Sequence, residues 1–257
     1  MKKFYSLLFR SNIDFVKTIF LNLRCFPLKV AIKLPIYVFK GFRIVELRGE
    51  ICLPKNVNRG MICLGQNIAG YVTTSPGALR LKKGGCIEFL GGAKISQGSN
   101  MYINEGARLV IGEDVKFGDC VKVICYKSIV FGKMTELTWE SQITDFNSHF
   151  IVDLESNKIL SIVKPISIGE YCWIGNRSSI MPGTILPNRV IVASNSLLNK
   201  NYDEVIKPFS IIGGMPAKLL ACNKQRIYSQ ENEFILHHYF KNNDITYAET
   251  SITLDEI

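Results

Sequence analysis

From residue 168 the chain reads IGEYCW IGNRSS IMPGTI LPNRVI VASNSL and closes on Leu198. Written in sixes, every block opens on an aliphatic residue: Ile168, Ile174, Ile180, Leu186, Val192 and then Leu198. Two places before each of the last five stand Cys172, Ser178, Thr184, Val190 and Ser196, all small or β-branched. A strand repeats every two residues and a helix every 3.6, so a strict six belongs to neither alone. It belongs to a chain that turns a corner every six residues. Each flat side then sends one bulky and one small side chain into a shared interior, and successive turns stack as a solenoid.

Outward from this stretch the period persists with interruptions. Ile111, Phe117, Val123 and Ile129 keep it, and after a slip of two residues so do Phe131, Leu137 and Ile143. Earlier, Leu81 and Ile87 are six apart, as are Phe89, Ile95 and Met101, with Gly84-Gly85 and Gly91-Gly92 marking corners. Phe42 to Ile51 reads as a first strand, and Gly60 to Tyr71 as the entry to the repeats. Between Phe150 and Lys164 the period vanishes in a polar segment, expected to be a surface excursion from the scaffold. After Leu198 the chain leaves through Asn199-Lys200-Asn201-Tyr202 to Gly214-Met215-Pro216-Ala217-Lys218. Gln225 to Phe240 reads as a short amphipathic helix, and Asn242 to Ile257 shows no core pattern.

The fold class is therefore mainly β, a solenoid over residues 42–220 with its excursion at 150–164. It is preceded by a basic, aromatic-rich segment at 1–41 and followed by a helix and tail at 221–257. Within the first segment Ile13, Val16, Phe20 and Leu23 follow helical spacing. Such a helix would cap the open end of the solenoid, or lie on an anionic membrane surface. Met1-Lys2-Lys3 is followed by no small-residue cleavage site, so a secretory signal is not expected. The region from Ile13 to Phe39 carries four basic residues and two prolines, which makes a poor spanning helix.

Lys and Arg outnumber Asp and Glu by 31 to 22, for a net charge of +9. An anionic partner follows, such as a phosphate-bearing cofactor, a nucleic acid or an acidic membrane. No nucleic-acid module is recognisable. The eight cysteines form no CxxC pair, a usage that looks reduced and cytoplasmic.

Cys172-Trp173-Ile174-Gly175, the six-residue repeats, Asn199-Lys200 and Gly214-Met215-Pro216-Ala217-Lys218 together resemble the hexapeptide-repeat acyltransferases. The resemblance is strongest to their sugar O-acetyltransferase branch from surface-polysaccharide clusters. It covers residues 109–220 well and 42–108 loosely. It implies a left-handed parallel β-helix, a homotrimer, and acetyl-CoA held between neighbouring prisms. The left hand comes from the resemblance alone, since general crossover rules favour right-handed connections.

The family places a histidine after an Asp/Asn-rich segment just before the excursion, and Asp145, Asn147 and His149 match that position. A sugar hydroxyl is a weak nucleophile at neutral pH, so a neutral imidazole must take its proton as it attacks the thioester. Were this segment extended, Asp145 and Asn147 would share the side of His149, and either could fix its tautomer. The resemblance further implies Trp173 along the acyl groove, with Asn176, Ser194, Asn199, Lys200 and Lys218 as contacts of acetyl-CoA. Lys200 and Lys218 would meet its phosphates as point charges. Pro187 replaces the family's common corner glycine, and Ser194-Asn195 stands where Ala-Gly is frequent.

Three other readings remain. An N-acyltransferase acting on an amino sugar would use the same base and cosubstrate, and a non-catalytic scaffold would bind no acetyl-CoA. A zinc enzyme on the same prism needs three converging histidines. Only His149 lies within the repeats, the other two being His237 and His238, so no metal is expected.

Overall fold

The computed structural model describes residues 12–68, 73 and 75–242. The tail at 243–257 and the first eleven residues lie outside the described part. Within it the chain winds through three faces in turn, each a parallel sheet. The first face is built on β1 (Ile36–Val38), β4 (Ile62–Gln66), β7 (Ala93–Ser96), β10 (Val115–Phe117), β13 (Glu136–Leu137), β18 (Trp173–Ile174), β21 (Ile191–Val192) and β23 (Ile211–Gly213). The second runs through β2 (Arg43–Leu47), β5 (Ala78–Leu81), β8 (Asn100–Ile103), β11 (Lys122–Cys125), β14 (Gln142–Thr144), β19 (Ser179–Ile180) and β22 (Leu197–Leu198). The third contains β3 (Glu50–Cys52), β6 (Cys86–Phe89), β9 (Arg108–Ile111), β12 (Ser128–Phe131), β17 (Ile166–Ile168) and β20 (Ile185–Leu186). This three-sided prism is the architecture of the left-handed β-helix class.

The period of six is the register of this prism. Ile174 stacks on Val192 and Ile180 on Leu198, each 18 residues on, or three sides of six. Ile168, Ile174, Ile180, Leu186, Val192 and Leu198 are all buried, and so are Cys172, Ser178, Thr184, Val190 and Ser196 two places before five of them. Inward hydroxyls are not left unpaired, because each turns to a corner carbonyl: Thr184 Oγ1 donates to Met181 O at 2.8 Å, and Ser196 Oγ to Ala193 O at 2.6 Å. Earlier coils are longer. Ile95 stacks on Phe117 and Met101 on Val123, 22 residues apart, which is why the sequence frame slips there.

Corners turn through left-handed backbone, with Tyr171 at φ 53° and Arg177 at φ 58°, six residues apart. At Gly175 a side chain is excluded by stacking: a Cβ would lie 2.5 Å from Ser194 N and 2.7 Å from Val192 O of the next coil.

The N-terminal end is capped by α1 (Phe15–Cys25), followed by α2 (Leu28–Ala31). The helix at this place was expected, and it does cap the prism, but with its apolar stripe turned outward. Thr18, Leu21 and Asn22 face the prism, while Val16, Phe20 and Leu23 of the expected apolar stripe are exposed. The reason is the free edge of β1, whose backbone groups need partners. Asn22 Nδ2 donates to Ile36 O at 2.7 Å and Asn22 Oδ1 accepts from Ile36 N at 3.2 Å. Thr18 Oγ1 accepts from Val38 N at 3.0 Å. Two helical side chains one turn apart thus stand in for a missing strand.

At the other end β24 (Lys218–Ala221) pairs antiparallel with β23. The C-terminal helix α3 spans Gln230–Asn242, beginning five residues later than the sequence suggested. Residues 225–228 instead lie along the first face.

Candidate active site at the prism corners

His149 lies at the corner between the second and third faces, where β14 gives way to the excursion. This excursion is a hairpin of β15 (Ile151–Asp153) and β16 (Lys158–Leu160), paired antiparallel. It was expected to be polar, yet Phe150, Ile151, Leu154 and Ile159 are exposed on it. Its neck is pinned by the Phe146 and Val163 bridge, by Asn147 N donating to Ile162 O at 2.7 Å, and by Lys164 N donating to Asp145 O at 3.0 Å. His149 is exposed just beyond that neck.

Asp145 does not share its side. The carboxylate is fully buried and points back into the preceding coil. Its Oδ1 accepts from Tyr126 N at 2.6 Å, while Oδ2 accepts from Lys127 N at 2.7 Å and Ser128 N at 2.8 Å. Three amides of one corner converge on one carboxylate, a nest that the turn between β11 and β12 would otherwise leave unfilled. The expectation that Asp145 and Asn147 lie beside His149 therefore fails at Asp145. The chain kinks at residues 145–146 instead of running extended, and Asp145 turns inward. Asn147 is exposed, as is His149.

Sequence reading did not single out the aromatic ladder at this corner. Tyr126 stacks on Phe146 with ring centroids 3.8 Å apart, and on Tyr102 at 5.7 Å, one rung per coil. The ladder leads along the corner to the neck that carries His149. Its signal in the sequence was available only after register assignment, because the three residues are separated by irregular coil lengths.

Asn199 and Lys200 are exposed on the same corner two coils beyond β14, at the end of β22. Lys200 Nζ lies 5.4 Å from the Tyr202 ring centroid. The remaining candidates gather elsewhere. Asn176 and Ser194 stand one above the other at the corner between the first and second faces, joined by a 2.5 Å hydrogen bond from Ser194 Oγ to Asn176 Oδ1. Lys218, exposed, begins β24 opposite Gly213, beside that same corner.

Trp173 lies on the first face, paired in register with Glu136 and Ile191. Its ring is covered by Arg226, whose guanidinium carbon is 5.3 Å from the ring centroid and which also pairs with Glu136 at 2.6 Å. Gln225 takes a 3.0 Å hydrogen bond from Arg189, and the Tyr228 hydroxyl donates to Tyr171 O. Burial pushes the Tyr228 hydroxyl pKa up, so that it stays a donor. The C-terminal segment is thus tied to the first face through Arg226, a contact that carries no periodic signal.

Cys172 behaves as the apolar filler its position suggested, with burial pushing its thiol up to about 12. Among the described residues no group of three or more His, Cys, Asp or Glu could hold a metal ion.

One prism therefore carries its candidate residues on two different corners, a full face apart. The second/third corner holds His149, Asn199 and Lys200; the first/second corner holds Asn176, Ser194 and Lys218.

No family model matches the chain. In sequence it is similar to a putative lipopolysaccharide biosynthesis O-acetyl transferase from Escherichia coli K12, 25% identical over 154 residues, 54% of this chain and 74% of that protein. It is 27% identical over 188 residues to a probable acetyltransferase from Mycobacterium tuberculosis, covering 72% of this chain and 57% of the relative. A probable macrolide acetyltransferase from Lysinibacillus sphaericus is 39% identical over 69 residues, 27% of this chain and 34% of its own length. The match thus spans about three quarters of the first relative and far less of the third. Among solved structures, that of the polysialic-acid-specific acetyltransferase NeuO superposes with a TM-score of 0.50 at 17% identity, over 79% of this chain and 99% of its own. That likeness establishes the fold.

Proposed function

We propose that this hexapeptide-repeat acyltransferase moves an acetyl group from acetyl-CoA directly to a hydroxyl of a sugar or saccharide precursor of a surface polysaccharide. The observation that carries the reading is the placement of His149. It is an exposed imidazole just beyond the neck of a hairpin, a neck held by backbone bonds at Asp145 and Asn147, with Asn199 and Lys200 on the same corner.

His149 takes the proton of the acceptor hydroxyl as the oxygen attacks the thioester carbonyl. The carbon–oxygen bond forms, the carbon–sulfur bond breaks, and the proton passes from the imidazole to the departing thiolate. The ester and free CoA thiol are the products, with no acyl-enzyme between. Such a base contributes about 10²–10⁴-fold, and holding both reactants in one groove contributes much of the rest. Lys200 and Lys218 suit the phosphates of acetyl-CoA as exposed ammonium charges, and Asn176 and Ser194 suit its amides.

The division of these residues between two corners favours a homotrimer. A groove lined by the second/third corner of one prism and the first/second corner of its neighbour would gather both sets, whereas a single prism keeps them a face apart. The eight cysteines are free thiols, in keeping with a cytoplasmic protein.

The test is His149→Ala assayed by release of free CoA thiol against a panel of sugar acceptors, with acetyl-CoA binding measured separately. Turnover is expected to fall about 10²–10⁴-fold while binding persists. Near wild-type turnover in that variant would remove His149 from the mechanism.

A further inference from the structure

The net charge of the chain is almost entirely local. Of the first 45 residues nine are basic (Lys2, Lys3, Arg10, Lys17, Arg24, Lys29, Lys33, Lys40 and Arg43), and Asp14 is the one acid. That leaves 22 basic against 21 acidic residues in the remaining 212, so eight of the nine net charges belong to the N-terminal end. Asp14 is itself occupied, as the N-cap of α1 and in a 2.9 Å ion pair with Lys17. Arg24, Lys29 and Lys33 are exposed, and no carboxylate among the described residues pairs with them.

The same end presents an apolar surface. Leu21 and Cys25 of α1 turn to the core, and Thr18 and Asn22 to the edge of β1. Its remaining face carries Phe15, Val16, Ile19, Phe20 and Leu23, all exposed, with Val16 at 80%. On α2 and just past it, Leu28 and Ile32 are exposed and alternate with Lys29 and Lys33. Because Thr18 and Asn22 turn to the free edge of β1, this face lies on the opposite side of α1, away from the sheet.

We propose that this end docks on an anionic lipid bilayer, with the exposed face of α1 in the headgroup boundary and Arg24, Lys29 and Lys33 against the lipid phosphates. An apolar helix face rimmed by basic residues and almost free of acids is what such a surface selects. A nucleic acid would use the charges but would leave five large apolar side chains in water, which is why the bilayer is favoured. No helix among the described residues is long and apolar enough to cross a membrane, so the contact is interfacial.

Docked this way, the prism stands on the membrane. Along the second face the order β2-β5-β8-β11-β14 puts the strand before His149 four rungs from the first, about 19 Å at roughly 4.8 Å per rung. The candidate site is held clear of the lipid and open to solvent. In the trimer proposed above, three such ends would face the same way, and the docking would gain avidity.

The test uses the full chain in sedimentation with vesicles of phosphatidylcholine alone and of phosphatidylcholine mixed with phosphatidylglycerol. It needs no catalytic activity, so it can fail while the acyltransferase reading stands. Binding is expected to the mixed vesicles only, and to weaken with salt. The double variant Lys29→Ala, Lys33→Ala should lose roughly 25-fold in binding, at about fivefold per basic residue. The variant Phe20→Ser, Leu23→Ser should lose binding with its circular dichroism unchanged, since both side chains are exposed. Absence of binding to mixed vesicles at low salt overturns the proposal, as it would if the face were covered by the chain's own first residues. Binding to duplex DNA in place of vesicles also overturns it. So does a Phe20→Ser, Leu23→Ser variant that changes oligomeric state, because a second copy would then be the occupant.

Discussion

Replacing Asp145 separates a scaffold role from a catalytic one, because the carboxylate lies four residues from His149 in sequence yet serves the coil beneath. In Asp145→Asn the amide keeps one oxygen for Tyr126 N but turns an NH2 toward Lys127 N and Ser128 N, the two donors that now share Oδ2. Two charge-assisted bonds at full burial are lost, and donor faces donor. At about 1.5–3 kcal/mol for each hydrogen bond to a charged group, the loss is about 3–5 kcal/mol after partial relaxation. Asp145→Ala should cost a similar amount, since it orphans three amides but leaves room for a water. For a chain of this size 1 kcal/mol corresponds to roughly 2–4 °C in Tm, so either variant should melt about 6–20 °C lower. Thermal unfolding by circular dichroism reads the shift, and acetyl transfer at a temperature where the variant is folded reads the chemistry. The structure requires a lower Tm with kcat per folded molecule nearly unchanged. An Asp145→Asn protein with wild-type Tm and collapsed kcat would show that Asp145 orients His149, and the corner argument would be wrong.

Two further outcomes follow from the cap and the core. Asn22→Leu leaves Ile36 N–H and C=O without partners at the end of the first face, and should destabilise that end by about 2–4 kcal/mol. Amide exchange at Ile36 and Val38 should speed up ahead of exchange at Val123 or Ile174; equal protection would refute the strand-replacement role of α1. Burial raises the thiols of Cys125 and Cys172 from 9.0 to about 12, with Asp145 adding to the rise at Cys125. Between those values the unfolded chain has released protons that the fold retains, so stability is intact below about pH 9 and falls as pH rises. The slope is about 1.4 kcal/mol per pH unit for each thiol. Urea midpoints measured across this range should decline, and more gently in Cys172→Ala; identical slopes would refute the assignment.

The prism was legible wherever its corners have constant length. Ile168 to Leu198 announces the fold because its coil repeats after 18 residues, so that the sequence period and the spatial register coincide. Before that stretch the coils lengthen, and Phe117 stacks on an Ile95 that no strict ruler would reach. At two places the local string does not give the local environment. Asp145 looks like a neighbour of His149, but the groups that claim it are amides 17 to 19 residues earlier, brought alongside by one turn of the solenoid. In α1 an apolar stripe normally marks the buried side. Here the buried side meets the open edge of a sheet, where hydrogen-bonding side chains are worth more than apolar ones, and the stripe is left outward.

The candidate site extends the same lesson beyond one chain. Residues 145–149 and 199–200 fall on the second/third corner, while Asn176, Ser194 and Lys218 fall on or beside the first/second. The corner assignment follows from strand order, and no change of rotamer carries a side chain across a whole face. Either the two groups serve different ends, or a second prism brings a first/second corner against the first prism's His149. The second alternative makes a sharper demand on experiment, since His149→Ala and Asn176→Ala, each weak alone, should restore shared sites when mixed. Subunits carrying the two defects on opposite corners would form some grooves with both corners intact. Recovery of turnover after co-refolding the two variants, above the weak turnover of either homotrimer alone, is the outcome that a groove between prisms requires. Activity that never exceeds the mean of the two separate preparations would place the whole site on one chain.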